Sequence, residues 1–209
     1  MSKPKLILIG AGGHACACID VIEQHGGYEI AGLVSRENEI LNHDLGYDVI
    51  STDNDLEALS KEYQNAFITI GQIQTPDHRI RLYQLAIEVG FQLPVIIAPS
   101  AYVSRHATIG AGTIIMQGAI VNAGSSVGNN CIINTRALVE HNSVVADHCH
   151  IATGAILNGD VRVGEGSFVG SGSIIKQGAR VGHHCVVGMG LALRHNLADY
   201  ARFVSKDKA

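Results

Sequence analysis

The sequence lacks any apolar run near the roughly 20 residues that a membrane helix needs; its longest, such as Leu6 to Ile9 and Val95 to Ala98, are far shorter. No charged-then-apolar leader is visible in Met1 to Lys5, so the expected location is the cytoplasm. A basic excess is also missing. Lys and Arg total 15 against 19 Asp and Glu, a net charge of -4, which argues against nucleic acid and for a small soluble partner. There is no C-x-x-C pair. Five cysteines (Cys16, Cys18, Cys131, Cys149, Cys185) are an odd number, which argues against a disulfide framework and a zinc ribbon. What the sequence does have is a 46% hydrophobic fraction, enough for one large or two small cores.

Two halves follow different periods. In residues 1–94 strands alternate with helices: Lys5 to Ile9 is a strand, Gly10-Ala11-Gly12-Gly13 a turn, and His14 to His25 a helix with Ala15, Ile19 and Ile22 on one face. A second strand covers Glu29 to Val34. Ser51, Thr52 or Asp53 caps a helix to about Glu62, a strand covers Ala66 to Ile70, and Asp77 to Val89 is a helix. This alternation implies a small Rossmann-like parallel sheet. From Ile97 to Ala192 the chain divides into sixteen hexads without an insertion, and every first position, from Ile97 and Val103 to Val181 and Val187, is aliphatic. The fifth positions are nearly all small, including Cys131, Cys149 and Cys185. Such a repeat predicts a parallel β-helix over residues 95–192, with 193–209 as a C-terminal segment.

The hexads resemble those of the hexapeptide acyltransferases, whose left-handed prism has three six-residue sides per coil. That resemblance makes residues eighteen apart stack, so columns become surfaces. Sixth positions of the first side (Tyr102, Ile120, Leu138, Ile156, Ile174) and of the third (Ile114, Ile132, His150, Phe168, Val186) form two apolar stripes expected to point outward. A threefold ring would bury one against the other, so a homotrimer is expected. The second side is polar, with Glu140, His141, Asn158, Gly159 and Lys176 along its edge.

His141 is the candidate base. Acetyl transfer needs a group that titrates near neutrality and room for a thioester beside it, and a histidine stacked over Gly159 offers both. The bland alternative is a surface histidine among 11 in the chain. Ile133 to His141, with His148-Cys149-His150-Ile151, Gly10 to His14 and Pro99-Ser100-Ala101, is similar to the NeuD and PglD group of sugar acyltransferases over essentially the whole chain. The resemblance implies acetyl-CoA as co-substrate and a sugar or nucleotide sugar as acceptor. It makes His141 the general base, puts His150 at the acyl-donor site between subunits, and aims the Gly159 N–H at the thioester oxygen. Glu140 and Asn142 complete the catalytic group and Lys176 joins the donor side; family members often carry an acidic residue where Asn142 stands.

Gly10, Gly12, Gly13 and His14 at a helix N-terminus suit a phosphate or carboxylate, or else make only a tight strand-to-helix turn. Ser35 and Arg36 replace the acidic pair that UDP-sugar enzymes of the family use, and Gln72 lies in a segment closer to the NeuD-type members. A sialic-acid-type O-acetyltransferase of surface-glycan biosynthesis is therefore expected. The alternatives are N-acetylation of a nucleotide-linked 4-amino-4,6-dideoxy sugar and a non-enzymatic binding β-helix. A dehydrogenase is disfavoured because the second strand ends in Ser35-Arg36. No metal is expected, since no two histidines have the five-residue spacing of β-helix carbonic anhydrases.

Overall fold

A computed structural model describes residues 2–36 and 46–205. Residues 206–209, part of the C-terminal segment singled out from sequence, lie outside the described residues. Strands β1 (Lys5–Ile9), β2 (Glu29–Ser35), β3 (Val49–Thr52) and β4 (Asn65–Ile68) form one parallel sheet in the order β3-β2-β1-β4. Its helices are α1 (Gly13–His25), the single turn α2 (Leu56–Leu59) and α3 (Asp77–Glu88). β1 is buried at four of its five positions, the near-continuous apolar run of a strand covered on both faces. α1 ends at Gly26, whose left-handed φ of 70° lets its N–H reach the Ile22 carbonyl.

β3 is not foreseen in the sequence. Its residues are exposed or half-buried at the sheet edge, so no alternation of apolar positions betrays it. The expected cap is present: Thr52 is the N-cap of a helical turn, Asp53–Asp55, that leads into α2, which ends at Leu59 and not near Glu62. A carboxylate then turns the chain: Asp55 accepts from the Thr52 N–H and from the Ser51 and Thr52 hydroxyls.

From Ile96 the chain winds a three-sided parallel β-helix, with sheets of five, seven and six strands. Each two-residue strand pairs in register with the strand eighteen residues on, as in Ile132 on His150 on Phe168 on Val186. The first positions of the hexads fill the interior. From Ile115 to Val187 they are buried, while Ile97, Val103 and Ile109 cover the open end. Cys131, Cys149 and Cys185 are buried thiols in that interior, as expected of small core residues. The last coil is shorter, because Val186 pairs with Arg202 and Val181 bridges Leu197, sixteen residues on in both cases.

One expected surface is corrected. The third-side stripe is not free for another copy over its first half: Ile114 and Ile132 are buried with Leu6, Leu8, Cys18 and Ile22 of the same chain. Column arithmetic tells which side a residue occupies, but not what covers that side. The first-side stripe stays open, with Tyr102, Ile120 and Ile174 exposed. Among the described residues no helix is long and apolar enough to cross a membrane.

Leu157 sits mid-column in the β-helix core with no exposure. Leu157→Ala should lower unfolding free energy by about 2–5 kcal/mol, read as a shift in urea midpoint.

Candidate active site

The turn between Leu138–Val139 and Val144–Val145 carries Glu140, His141 and Asn142 at the corner where the first side meets the second. From Gly112 onward the fourth hexad position has a left-handed backbone, and at this corner Gly124 (φ 74°), Asn142 (φ 60°), Asp160 (φ 60°) and Gly178 (φ 72°) stack. Asparagine enters that region far more cheaply than a longer or branched side chain does. The turn itself thus favours a short polar side chain, Asn or Asp, at 142.

His141 is exposed, and its ring lies on Gly159 one coil on. A Cβ at Gly159 would come within 2.6 Å of Cε1 and Nε2, so only glycine leaves the imidazole its place. The Gly159 N–H makes no hydrogen bond within the chain among the described residues, while its carbonyl accepts from Gly178. Glu140 Oε2 accepts from the His141 backbone N–H at 3.0 Å. The Asn142 amide lies 3.3 Å from Nδ1 of His141. A base at Nε2 needs its proton on Nδ1, and so needs the amide oxygen turned toward the ring. Lys176 is exposed two coils beyond Glu140 in the same column.

The second feature is a cleft of about 350 Å³ at the carboxyl ends of β1, β2 and β4, where ligands of open parallel sheets bind. Gly10 to His14, Arg36, Asp53, Thr69 to Gly71 and His78 line it. Gly10 (φ 116°) must be glycine, since a Cβ would sit 2.5 Å from Ile70. Gly12 and Gly13 face open space at the start of α1. Arg36 Nε donates to His78 Nε2 at 3.2 Å. Ser35 and Gln72 are not among the lining residues: the Ser35 hydroxyl donates to the Arg36 carbonyl, and Gln72 donates from Nε2 to the Gly166 carbonyl of the β-helix. Asp53 and His78 are lining residues that the sequence reading passes over, because nothing in their spacing marks them.

His150 is 7% exposed, and both ring nitrogens are used. Nδ1 donates to the Gln72 carbonyl at 2.6 Å and Nε2 accepts from Asn134 at 3.0 Å, a consistent neutral tautomer. Its edge meets the Phe168 ring at 5.2 Å. Located so, His150 anchors the 71–76 loop and keeps no nitrogen for a ligand. His14 lies 6.4 Å from it, centroid to centroid, and its Nε2 is shut off from solvent without a partner. Burial pushes the His14 imidazole down to about 3, with Arg79 and His150 adding to the shift. Burial also pulls His150 to about 4; its bond to Gln72 opposes and Arg79 assists. No group of three or more metal-capable side chains occurs among the described residues.

Residues 5–83 match the PglD N-terminal domain family, and residues 160–194 the hexapeptide repeat of succinyl-transferase. The chain is 32% identical to the acetyltransferase domain of PglB from Neisseria gonorrhoeae, solved in complex with acetyl coenzyme A, covering 98% of this chain and 97% of that one with a TM-score of 0.88. PerB from Caulobacter crescentus, solved with CoA and GDP-perosamine, is 32% identical over 96% of this chain and 94% of its own, TM-score 0.89. WeeI from Acinetobacter baumannii shares the fold at 20% identity and TM-score 0.80, covering 96% of each chain. No curated protein sequence matches. The architecture common to these structures is the left-handed β-helix behind a small parallel sheet.

Two outcomes follow from the geometry. Gly159 has an ordinary backbone conformation, so Gly159→Ala should displace the His141 ring and cut turnover while leaving the thermal midpoint nearly unchanged. His14 and His150 are held neutral in the fold, and the unfolded chain binds two more protons once the pH falls below about 6.5. Stability should therefore be full above that pH and fall as pH drops toward about 4, at up to about 2.7 kcal/mol per unit. Urea titrations across that window should give about half the slope in His14→Gln.

Proposed function

We propose that this chain, which belongs to the PglD-type family of hexapeptide-repeat sugar acetyltransferases, moves the acetyl group of acetyl-CoA onto the amino group of a nucleotide-linked sugar held in the cleft at the start of α1. As a member of that family it is an acetyl-CoA-dependent acyltransferase. The observation that carries the assignment of roles is the imidazole of His141 lying on Gly159 beside an uncommitted backbone N–H. In the reaction the amine attacks the thioester carbonyl, and Nε2 of His141 takes the proton that the nitrogen sheds. The Gly159 N–H receives the oxyanion of the tetrahedral intermediate. Collapse then breaks the C–S bond, and the leaving thiolate takes its proton from the His141 imidazolium, which returns the base to its neutral form.

The nucleotide-sugar acceptor is supported by the cleft's walls. Gly12 and Gly13 leave the first N–H groups of α1 uncovered, a natural seat for a diphosphate, with Arg36 beside it. The GDP-perosamine of the Caulobacter crescentus relative is a ligand of that class. The same Arg36 favours a second reading, O-acetylation of a sialic-acid-type sugar, whose carboxylate a guanidinium would hold.

Within one chain His141 and the acceptor cleft belong to different faces. The first is on the corner between the first and second sides; the second belongs to the unit packed on the third. A complete site then needs the corner of a second copy against the cleft of the first, and the exposed first-side stripe is the surface such an assembly would cover. The apolar groove of about 340 Å³ between Ile73, Phe168, Val186 and Met189, with Arg202 at its end, suits the arm and phosphates of the acyl donor.

His141→Ala should lower turnover by roughly 10² to 10⁴-fold with acetyl-CoA affinity nearly unchanged. An acceptor panel scored by coenzyme A release, with GDP-, UDP- and CMP-linked sugars and free sialic acid, tests the substrate class. Fast acetylation of sialic acid with none of the amino sugars would promote the second reading. Sedimentation should give a trimer, and Ile156→Glu, a charge inside the first-side stripe, should shift it toward monomer with loss of activity.

A further inference from the structure

Among the described residues, every buried side-chain polar atom without a partner lies at the junction of the α/β unit with the β-helix: His14 Nε2, Gln72 Oε1, Arg79 Nη2 and Asn130 Oδ1. Arg79 is their hub. It is 1% exposed on α3 and makes only backbone bonds, from Nη1 to the Ile68 and Ile70 carbonyls at 2.8 and 2.7 Å and from Nε to the Asn130 carbonyl at 3.3 Å. No carboxylate forms an ion pair with it among the described residues. A guanidinium buried with carbonyl dipoles alone is costly, and such a residue earns an explanation in function.

We propose that Arg79 is a positioning residue of the acceptor cleft: its buried charge, without a counter-ion, sets the field at the cleft floor, and its forked bonds tie the wall at Thr69 to Gly71 onto the β-helix. The bonds define the wall, since Ile70 and Thr69 line the cleft and Asn130 belongs to the β-helix. The field reaches groups on every side. From α1 it meets His14 and Cys18, from the β-helix Cys131, His148 and His150. Burial lowers His148 too, but Asp147 and Glu165 oppose that shift while Arg79 and His184 assist it. Cys18 is pushed up to about 12 by burial, so it supplies no negative charge near neutrality. Arg79 itself is brought down to about 10 and stays charged.

Resting on the acceptor reading above, this field has a chemical consequence. Arg36 and His78 also line the cleft, and the Asp53 carboxylate offsets part of their charge. At the floor beside His14, where Arg79 acts, a further positive charge is disfavoured, so a sugar amine placed there is held as the free base, the form that attacks a thioester. The same field draws the acceptor's anionic groups.

Histidine-selective NMR titration tests the field without any acceptor, with His14→Gln and His150→Gln assigning the two resonances. In the wild-type chain both should stay neutral down to about pH 5. Arg79→Met should raise both midpoints by about one unit or more, and Arg79→Lys, which keeps the charge, should hold them low. If the methionine variant fails to fold, Arg79→Gln, which keeps donors for the carbonyls without the charge, decides: raised midpoints there support the field, and midpoints equal to those of the wild type overturn it. Equal midpoints in the wild type and Arg79→Met would also overturn it, by showing that burial alone acts. Either result leaves the acetyl-transfer reading standing, and a failed acceptor panel would leave the titration readable.

Discussion

The register of each two-residue strand on the strand eighteen residues away governs the rest of the molecule. A coil of this β-helix has almost no local stability; its strands are too short to pair as hairpins, and its interior is one aliphatic side chain per side. Stacking supplies what the single coil lacks, because each strand is hydrogen-bonded above and below and its first-position residue joins one continuous core. The price is a strict turn at every sixth residue, and the left-handed slot at the fourth hexad position enforces it. From Gly112 to Gly190 glycine fills eight of the fourteen slots, and Asn130, Arg136, Asn142, His148, Asp160 and His184 fill the other six.

That repetition explains why chemistry can sit on the corner. A turn held from above and below is rigid, so an exposed side chain on it has a fixed base. His141 uses the glycine beneath it as floor, and the amide at 142 is both the turn residue and the partner of Nδ1. A carboxylate would bind the imidazolium more strongly but adopts the turn less readily when carried on a longer side chain.

The junction between the two units obeys a different logic. Apolar contacts from α1 and β1 cover Ile114 and Ile132. Beyond them a polar layer begins, where Arg79, Gln72, Asn130, His148 and His150 exchange hydrogen bonds chiefly with backbone. Burial of these groups fixes the 69–76 segment in place, and with it one wall of the cleft. Desolvation is what keeps the two imidazoles neutral in the first instance; the nearby guanidinium pushes the same way.

The sequence by itself determined the β-helix, through its six-residue aliphatic period, and the parallel sheet, through its alternation of strands and helices, while the pairing of His141 with Gly159 followed once the resemblance implied three sides per coil. It also singled out Gly10 to His14, leaving open whether the turn seats an anion or only joins a strand to a helix. Only the tertiary structure decided which stripe is open and which is buried, for that depends on where the α/β unit rests. His150 shows the difference: its column is legible, yet the contacts to Gln72 and Asn134 that use up its nitrogens join residues 78 and 16 positions apart. Arg79 was invisible for the same reason. An arginine on an amphipathic helix reads as a solvated charge, and its burial follows from carbonyls supplied by Ile68, Ile70 and Asn130, a meeting that no local pattern encodes.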